Sequence, residues 1–504
     1  TWSGNYVLTL GGTSTNTVAV NASITGSGNT AGLVIKPSTY SLSTKSGSAI
    51  SLTGTTPTLS IGGNSYTLIK AIADLSTVTA TAGTFWALAK PLTYSTTLDR
   101  PAINVAFAGT LDGLGNTVDN MRLTSTANLG AAFIKNLNGG TIRNLGVTNS
   151  IIALEPTLTT NSLNAGGLVG DSAGGTLDQV WTTGFLRVKP GSTYANLSTG
   201  GLVGDVYAGS LTINKSWSSV NLYGWASTFT NVVSGGLVGG TLANWTATGT
   251  TLGGGLVITQ SYATGDIAYP LTTGIHGYGG IVGVHLGSSV VSLTDVFSWS
   301  LMSINTGAKY GGIYGNATGS TAGLQNAWTV TNQLSPSGSA VTELSNASWN
   351  YSFGGSPLFT TNANWYESAN GRQLVNLPMA SKNFYVNVYA PTDGSYRTIS
   401  YAVINGVQSV RNLSGYGLAV SGTPTYSIAS DAAISATPYQ VTYVSGLSFT
   451  GTGTLYSITP YPFATAVTIS KYAQSISLGT TAPTTATVGS VSYTHLTLPT
   501  TPYV

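Results

Sequence analysis

The chain has 504 residues, 65 of them glycine, with 41% hydrophobic residues, only 6% charged residues and a formal net charge of +3. So apolar and weakly charged a composition excludes an intrinsically disordered chain, and 17 basic residues spread over this length leave no electrostatic footprint for gripping a nucleic-acid backbone. The absence of cysteine removes disulfides, thiolate nucleophiles and Cys-type zinc sites together.

The first segment, 1–65, is β-rich and admits coils of a β-helix. No apolar run approaches the length of a transmembrane helix, and no secretion signal opens the chain, so any export signal is expected outside it. Next comes "YTLIKAIADL", Tyr66 to Leu75, whose apolar residues Leu68, Ile69, Ile72 and Leu75 recur at helical spacing. The pattern predicts one short amphipathic helix over about 67–76, covering an exposed end of the sheet structure that follows.

A repeat occupies the middle of the chain. "GGLVG" begins at Gly166, Gly200 and Gly235, "GGIVG" at Gly279 and "GGIYG" at Gly311, at intervals of 34, 35, 44 and 32 residues. A period in this range marks a solenoid, in which each unit buries its face only against its neighbours. No helix pattern follows any copy, which sets aside a phosphate-cradling loop. The glycines Gly166, Gly167, Gly170, Gly200, Gly201, Gly204, Gly235, Gly236, Gly239, Gly279, Gly280, Gly283, Gly311, Gly312 and Gly315 are therefore assigned to the fold. They serve tight turns with positive φ and close packing of one coil on the next.

Downstream of each copy an aliphatic residue is followed four positions later by an aromatic: "LDQVW", "INKSW", "ITQSY", "LTDVF" and "LQNAW". Strand alternation puts the aliphatic residue and the aromatic on one face, so Trp181, Trp217, Tyr262, Phe297 and Trp328 are expected as one stacked column in the core. The middle position is polar, namely Gln179, Lys215, Gln260, Asp295 and Asn326. It signals either a corner that exposes the column or an internal amide ladder. An outward column would be a sugar-stacking platform; an inward one supplies packing, and the core-facing period favours the inward arrangement.

"FAGTLDGLGNTVDNMRL" at Phe107 to Leu123, "GGTIRNLGV" at Gly139 to Val147, the glycine copies and "SYATG" at Ser261 to Gly265 together resemble filamentous haemagglutinin-like bacterial exoproteins that carry GLUG repeats. The resemblance spans roughly residues 1–380. "YTLIKAIADL" is similar to that family's segment before the repeats, and "NWYESANGRQLVNLP", Asn364 to Pro378, to the pattern that closes them. It implies an extracellular or bacterial cell-surface location, an outer-membrane transporter for export, and host-cell or matrix glycans or proteins as partners.

From about 381 the pattern changes to alternating strands rich in Tyr and Val, which predicts a β-sandwich spacer over 381–490, similar to immunoglobulin-like or prealbumin-like modules. The tail 491–504, "SYTHLTLPTTPYV" in its main part, resembles translated sequencing-adapter sequence and is set apart from the fold. The overall expectation is an all-β protein: a GLUG-repeat β-helix over 66–380, right-handed because parallel crossovers almost always are, then the sandwich.

Candidate chemistry is sparse. Asp171 and Asp205 follow equivalent glycine motifs and would stack on successive units, the best pair for glycoside hydrolysis. The equivalent positions further on are Gly240, Val284 and Asn316, and an Asp after a glycine turn more often accepts backbone N–H bonds. His276 and His285 flank one glycine copy without an acidic third ligand, so no metal site and no cofactor are assigned. The longest interval holds "GTLANWTATGTTLGGGL", an insertion whose Trp245 is the first candidate for a ligand loop. The resulting expectation is a non-enzymatic adhesin-like rod, with a polysaccharide-degrading β-helix enzyme as the alternative.

Overall fold

The computed structural model describes residues 1–12, 17–43, 47–125, 130–154, 162–188, 194–224, 229–246, 249–269, 276–286, 290–298, 300, 302–304, 309–318 and 323–330. Beyond 330 it describes 350–351, 365–368, 371–374, 382–389, 393–395, 402–405, 419–427, 437, 439–441, 443–450, 456–462 and 465–470. Two compact units result: 1–383 with 453–457, and 384–452 with 458–504.

The first unit is a parallel β-solenoid. One sheet runs through Phe85–Leu88, Thr110–Asp112, Thr141–Arg143, Gly175–Asp178, Ser210–Asn214, Gly255–Ala263, Val291–Ser298 and Gly323–Val330, every neighbouring pair parallel. A second face carries Ile103–Phe107, Ile134–Leu137, Val169–Ser172, Val203–Val206, Val238–Thr246, Val282–Leu286 and Tyr314–Thr318. A further sheet, Ser162–Gly166, Tyr194–Gly200, Phe229–Gly235, His276–Gly279 and Lys309–Gly311, enters only where the glycine copies begin. Trp181 pairs with Trp217, Trp217 with Tyr262, Tyr262 with Phe297 and Phe297 with Trp328, so each repeat is one wide coil.

Inside the coils lies a continuous apolar core that includes Leu111, Ile142, Leu177, Ile213, Ile258 and Leu293. These leucines and isoleucines stack on their equivalents coil after coil, so each coil buries its inner face only by having neighbours. The repeat glycines stand at the next corner. A Cβ on Gly200 would fall on the Val203 carbonyl oxygen, and one on Gly201 on the Gly236 carbonyl oxygen. Gly201 N donates to Gly235 O at 3.2 Å and Leu202 N to Leu237 O at 2.9 Å, and the same bonds recur up the stack. Among the described residues none of the fifteen repeat glycines has positive φ, which corrects the turn role expected for them; close backbone approach is what requires glycine here.

The left-handed positions are instead Gln179, Lys215, Gln260 and Asp295, with φ of 54°, 46°, 48° and 55°. A left-handed residue breaks strand alternation, and this corrects the expectation of a core position for Trp181 and Trp217. Leu177 and Val180 both belong to the core, as Ile213 does in the next coil, where Ser216 is fully buried at the place of Val180, while Trp181 and Trp217 are left half-buried on the outer face. Tyr262 and Phe297 are buried, yet their chain neighbours Ala263 and Val296 belong to the core cluster and they do not. The side chain of Trp328 lies outside the described residues. Of the polar corner residues, Gln179 and Asp295 are buried and Lys215 and Gln260 half-buried.

The helix expected near 67–76 is also corrected. Thr67–Ile69 is a strand that pairs in parallel with Phe85–Leu88, and only Ile72–Thr77 is helical, as a 3-10 turn. Burying Ile69 in the parallel ladder satisfies the backbone of the first half, and Asp74 caps the remainder by accepting from Lys70 N and Ala71 N at 2.8 and 2.9 Å.

The first 65 residues form a smaller parallel stack of their own. Val7–Leu10, Gly32–Ile35 and Thr58–Ile61 make one face, Val18–Val20 with Tyr40–Leu42 a second, and Ile24–Gly26 with Ile50–Leu52 a third. Its core, with Leu33, Ile35, Leu42, Ile50 and Leu52, extends to Leu114 of the main stack. Ile50 N donates to Leu114 O at 2.8 Å and Leu52 N to Ala89 O at 2.7 Å, so the two stacks are joined through backbone.

In the second unit the pairing becomes mainly antiparallel. Ala419–Tyr426 runs against Tyr443–Thr450, Tyr439–Val441 against Thr465–Ser470, and Lys382–Tyr389 against Ala402–Asn405. Asp393–Ser395 joins Thr465–Ser470 in parallel. The tail 491–504 lies outside the described residues.

Candidate functional site

Two places in the first unit bring chemistry-bearing side chains together. The first is the foot of the aromatic column, where Trp181 and Trp217 are half-buried. Trp181 stands on Gly146, where any Cβ would intrude on the indole, and its ring stacks on that of Trp217 at 6.4 Å between centroids and 20° between planes. Trp217 in turn stacks on Tyr262 at 5.7 Å and 5°. Below Trp181 the small N-terminal stack overhangs the corner, and a cavity of about 190 Å³ opens between Leu42 and Ser48 on one side and Asn144, Gln179, Trp181 and Trp217 on the other.

Asn144 occupies the same corner as Gln179 one coil earlier, also left-handed at φ 52°. It is 2% exposed. Its Nδ2 donates to the Tyr40 hydroxyl at 3.0 Å and to Asp112 Oδ1 at 3.2 Å, while its buried Oδ1 has no hydrogen-bond partner among the described residues. Behind it, Asp112 accepts from Arg143 Nε at 2.7 Å and from Tyr40 at 2.8 Å, which closes the charges off in a neutral pair.

The second place is the carboxylate pair. Asp171 and Asp205 do stand in register on adjacent coils, with Asn136 before them and Gly240, Val284 and Asn316 after. Asp205 is 2% exposed and accepts from Leu242 N at 3.1 Å; Asp171 accepts from Asn164 Nδ2 at 2.6 Å. Burial pushes the Asp171 carboxyl up to about 6, with the Asn164 amide and Lys135 pulling the other way. Burial raises Asp205 well above the carboxylate range, and its neighbour Asp171 raises it further. Both carboxyls are engaged by groups of the chain itself. No group of three or more His, Asp or Glu able to hold a metal occurs among the described residues.

A pH prediction follows from the pair. An unfolded Asp ionises near 4, so between about 4 and 6 the unfolded chain loses a proton that folded Asp171 keeps, and stability falls as pH rises through that window. Discounting for its partial exposure, the cost is on the order of 2 kcal/mol by pH 7. Asp171→Asn is therefore expected to melt close to wild type at pH 4 and above it at pH 7. A difference in melting temperature that stays constant across this range would show that the carboxyl titrates normally.

His285 is fully buried, with Nδ1 at 2.6 Å from the Thr241 hydroxyl, and the side chain of His276 lies outside the described residues. The insertion after Gly240 forms a hairpin in which Trp245 pairs with Thr250; the Trp245 side chain is likewise outside the described residues. Asn144, Ser48 and Leu42 had no place in the sequence argument. The signal for Asn144 was present: "IRNLG" at Ile142 to Gly146 aligns with "LDQVW", with asparagine at the corner and glycine in place of the aromatic.

No family model matches the chain, and no curated protein matches it. Among solved structures, one from Bacteroides ovatus, whose description as an immunoglobulin A1 protease is itself provisional, is 15% identical with a TM-score of 0.42. The match covers 62% of this chain and 92% of that one.

Proposed function

We propose that this chain is a non-enzymatic, adhesin-like β-solenoid of the bacterial cell surface or its surroundings that binds neutral glycans, similar to filamentous haemagglutinin-like exoproteins with GLUG repeats. The observation that carries the reading is the pair of half-buried tryptophans, Trp181 and Trp217, at the foot of the aromatic column. Trp181 and Trp217 stand half-buried on the outer face of successive coils, beside the amides of Asn144 and Gln179. Partly exposed aromatic rings beside neutral hydrogen-bonding groups suit sugars better than nucleic acid or ions. The solenoid then acts as a stiff support for this surface.

The alternative, a polysaccharide-degrading enzyme, draws on the raised carboxyls of Asp171 and Asp205, which have the proton affinity of a general acid. Against it, each carboxyl is turned to partners within the chain. A glycan array probed with the full chain, with mass spectrometry of each bound oligosaccharide, separates the two. The expected result is binding of neutral oligosaccharides that are recovered intact. Cleaved products would overturn the reading and direct attention to the two aspartates.

A further inference from the structure

We infer that the open end of the N-terminal stack, built around the edge of Val7–Leu10, is a self-association surface on which a second copy of this chain seats end to end. The inference goes beyond the glycan reading and stands whether or not a sugar binds.

The end of the stack lacks a layer. Leu8, Leu10, Val18 and Ile24 are only half-buried, although each packs on the small core. Their register partners one coil on, Leu33, Ile35, Tyr40 and Ile50, are buried. A further coil would remove that difference, since each coil buries its inner row only through its neighbours. Tyr6 and Val7, at the same end, are 76% and 58% exposed.

The backbone is open there too. Tyr6 O and Leu10 O accept from Gly32 N and Lys36 N, each at 3.0 Å. Alternation therefore turns the N–H and C=O groups of Val7 and Thr9 away from the stack, and among the described residues no strand pairs with them. Edges of this kind are ordinarily blunted by Lys, Pro or a bulge. Here the register with Gly32–Ile35 runs without a bulge, and no Lys, Arg, Asp, Glu or Pro stands before Lys36 and Pro37.

The occupant follows from the geometry. A single added strand would cover Val7–Leu10 and leave Val18 and Ile24 as they are, whereas another solenoid end covers all three faces. A second copy supplies an end whose rows match by identity, and a neutral edge meets its own copy without like-charge repulsion. A two-fold axis normal to the first face sets the two Val7–Leu10 strands antiparallel. Centred on Leu8, it places Val7 opposite Thr9 of the copy, so that their outward groups bond, and keeps Leu8 and Leu10 of both copies on the inner side. A slip of one residue would turn the copy's leucines outward. The axis also exchanges the second and third faces. Trp2 already stands one level above Ile24–Gly26, with Trp2 N donating to Thr25 O and Ser27 N to Trp2 O, both at 2.9 Å. The two-fold therefore brings the copy's Trp2 over Val18–Val20, so the two stepped ends interlock and the contact closes at two copies.

The test is sedimentation velocity of the full chain over a dilution series, with hydrogen exchange of the Val7 and Thr9 amides on the same samples. A reversible dimer is expected, in which both amides are protected and from which both exchange freely on dilution. Thr9→Pro removes an outward donor and no bond of the stack, so melting should fall little while the dimer weakens by about tenfold or more. Val7→Lys, at an exposed side chain, is the second variant. It brings two cations together near the axis and should weaken the dimer by about threefold or more, less so at high salt. A monomer at every concentration would overturn the inference, as would a dimer that both folded variants leave unchanged. Polymers that grow without closing would overturn the two-fold contact. Should either variant fail to fold, exchange in the wild type decides alone: protection of Val7 and Thr9 that does not depend on concentration would rule the interface out.

Discussion

Gly200→Ala is expected to destabilise the solenoid by more than about 4 kcal/mol, or to prevent folded protein from accumulating, although it adds a single methyl group. The added Cβ would fall on the Val203 carbonyl oxygen and crowd Gly239 N of the next coil. Neither neighbour can yield cheaply. Val203 N donates to Leu237 O at 2.9 Å, and Gly201 N to Gly235 O, so a shift at one corner breaks backbone bonds between coils. In a stack where each repeat is stable only through its neighbours, such a break propagates along the axis. Gly139→Ala is the control. Gly139 has φ 77° and no atom within 4 Å of the point where a methyl would sit, so it bears only the left-handed strain of about 1–2 kcal/mol. Circular dichroism melts of the two variants should differ widely. Equal melting temperatures would show that the glycine corner has slack and that close packing is not why glycine recurs there.

The contrast between these two glycines also explains what was legible in the chain. A repeated "GG" followed by aliphatics identified the solenoid and its period, because stacking coils imposes the same short contact on every unit. The same logic aligned Trp181, Trp217, Tyr262, Phe297 and Trp328 in one column. What it could not assign was the face. The residues at the corner are Gln179, Lys215, Gln260 and Asp295, ordinary side chains in a conformation usually signalled by glycine. One left-handed residue reverses the side on which the residues just after it point, so Trp181 and Trp217 of the inferred core column stand half-buried on the outer face, while Tyr262 and Phe297 are buried as expected. The cavity was illegible for a different reason. Its walls come from Leu42 and Ser48 on one stack and Trp217 on another, and only the docking of the two stacks brings them together. No local period encodes that docking.

A buried ion pair of the main stack, Asp112 with Arg143, reaches across that docking through Tyr40 and Tyr66, and Arg143→Ala is expected to loosen it. Asp112 is fully buried and accepts four bonds, from Arg143 Nε at 2.7 Å, Tyr40 Oη at 2.8 Å, Leu114 N at 2.9 Å and Asn144 Nδ2 at 3.2 Å. Arg143 also donates to the Tyr66 hydroxyl at 3.1 Å and lies 5.3 Å from the centre of the Tyr40 ring. Burial works against its charge, but the Asp112 carboxylate, with Tyr40 and Tyr66, more than offsets this and holds the guanidinium charged. Removing the cation leaves a buried carboxylate without its counter-charge, which costs about 3–5 kcal/mol. Arg143→Lys keeps the charge but not the planar fork that reaches Asp112 and Tyr66 together, so an intermediate loss is expected. Because Tyr40 and Tyr66 belong to the N-terminal stack and its end, the loss should be local before it is global. Hydrogen exchange is the sensitive readout: the amides of Ile50 and Leu52, bonded to Leu114 O and Ala89 O, should lose protection in Arg143→Ala while amides of the coils beyond Gly200 keep theirs. Unchanged protection at Ile50 would mean that apolar contact of Leu42 and Leu52 with Leu114 holds the two stacks together without the ion pair.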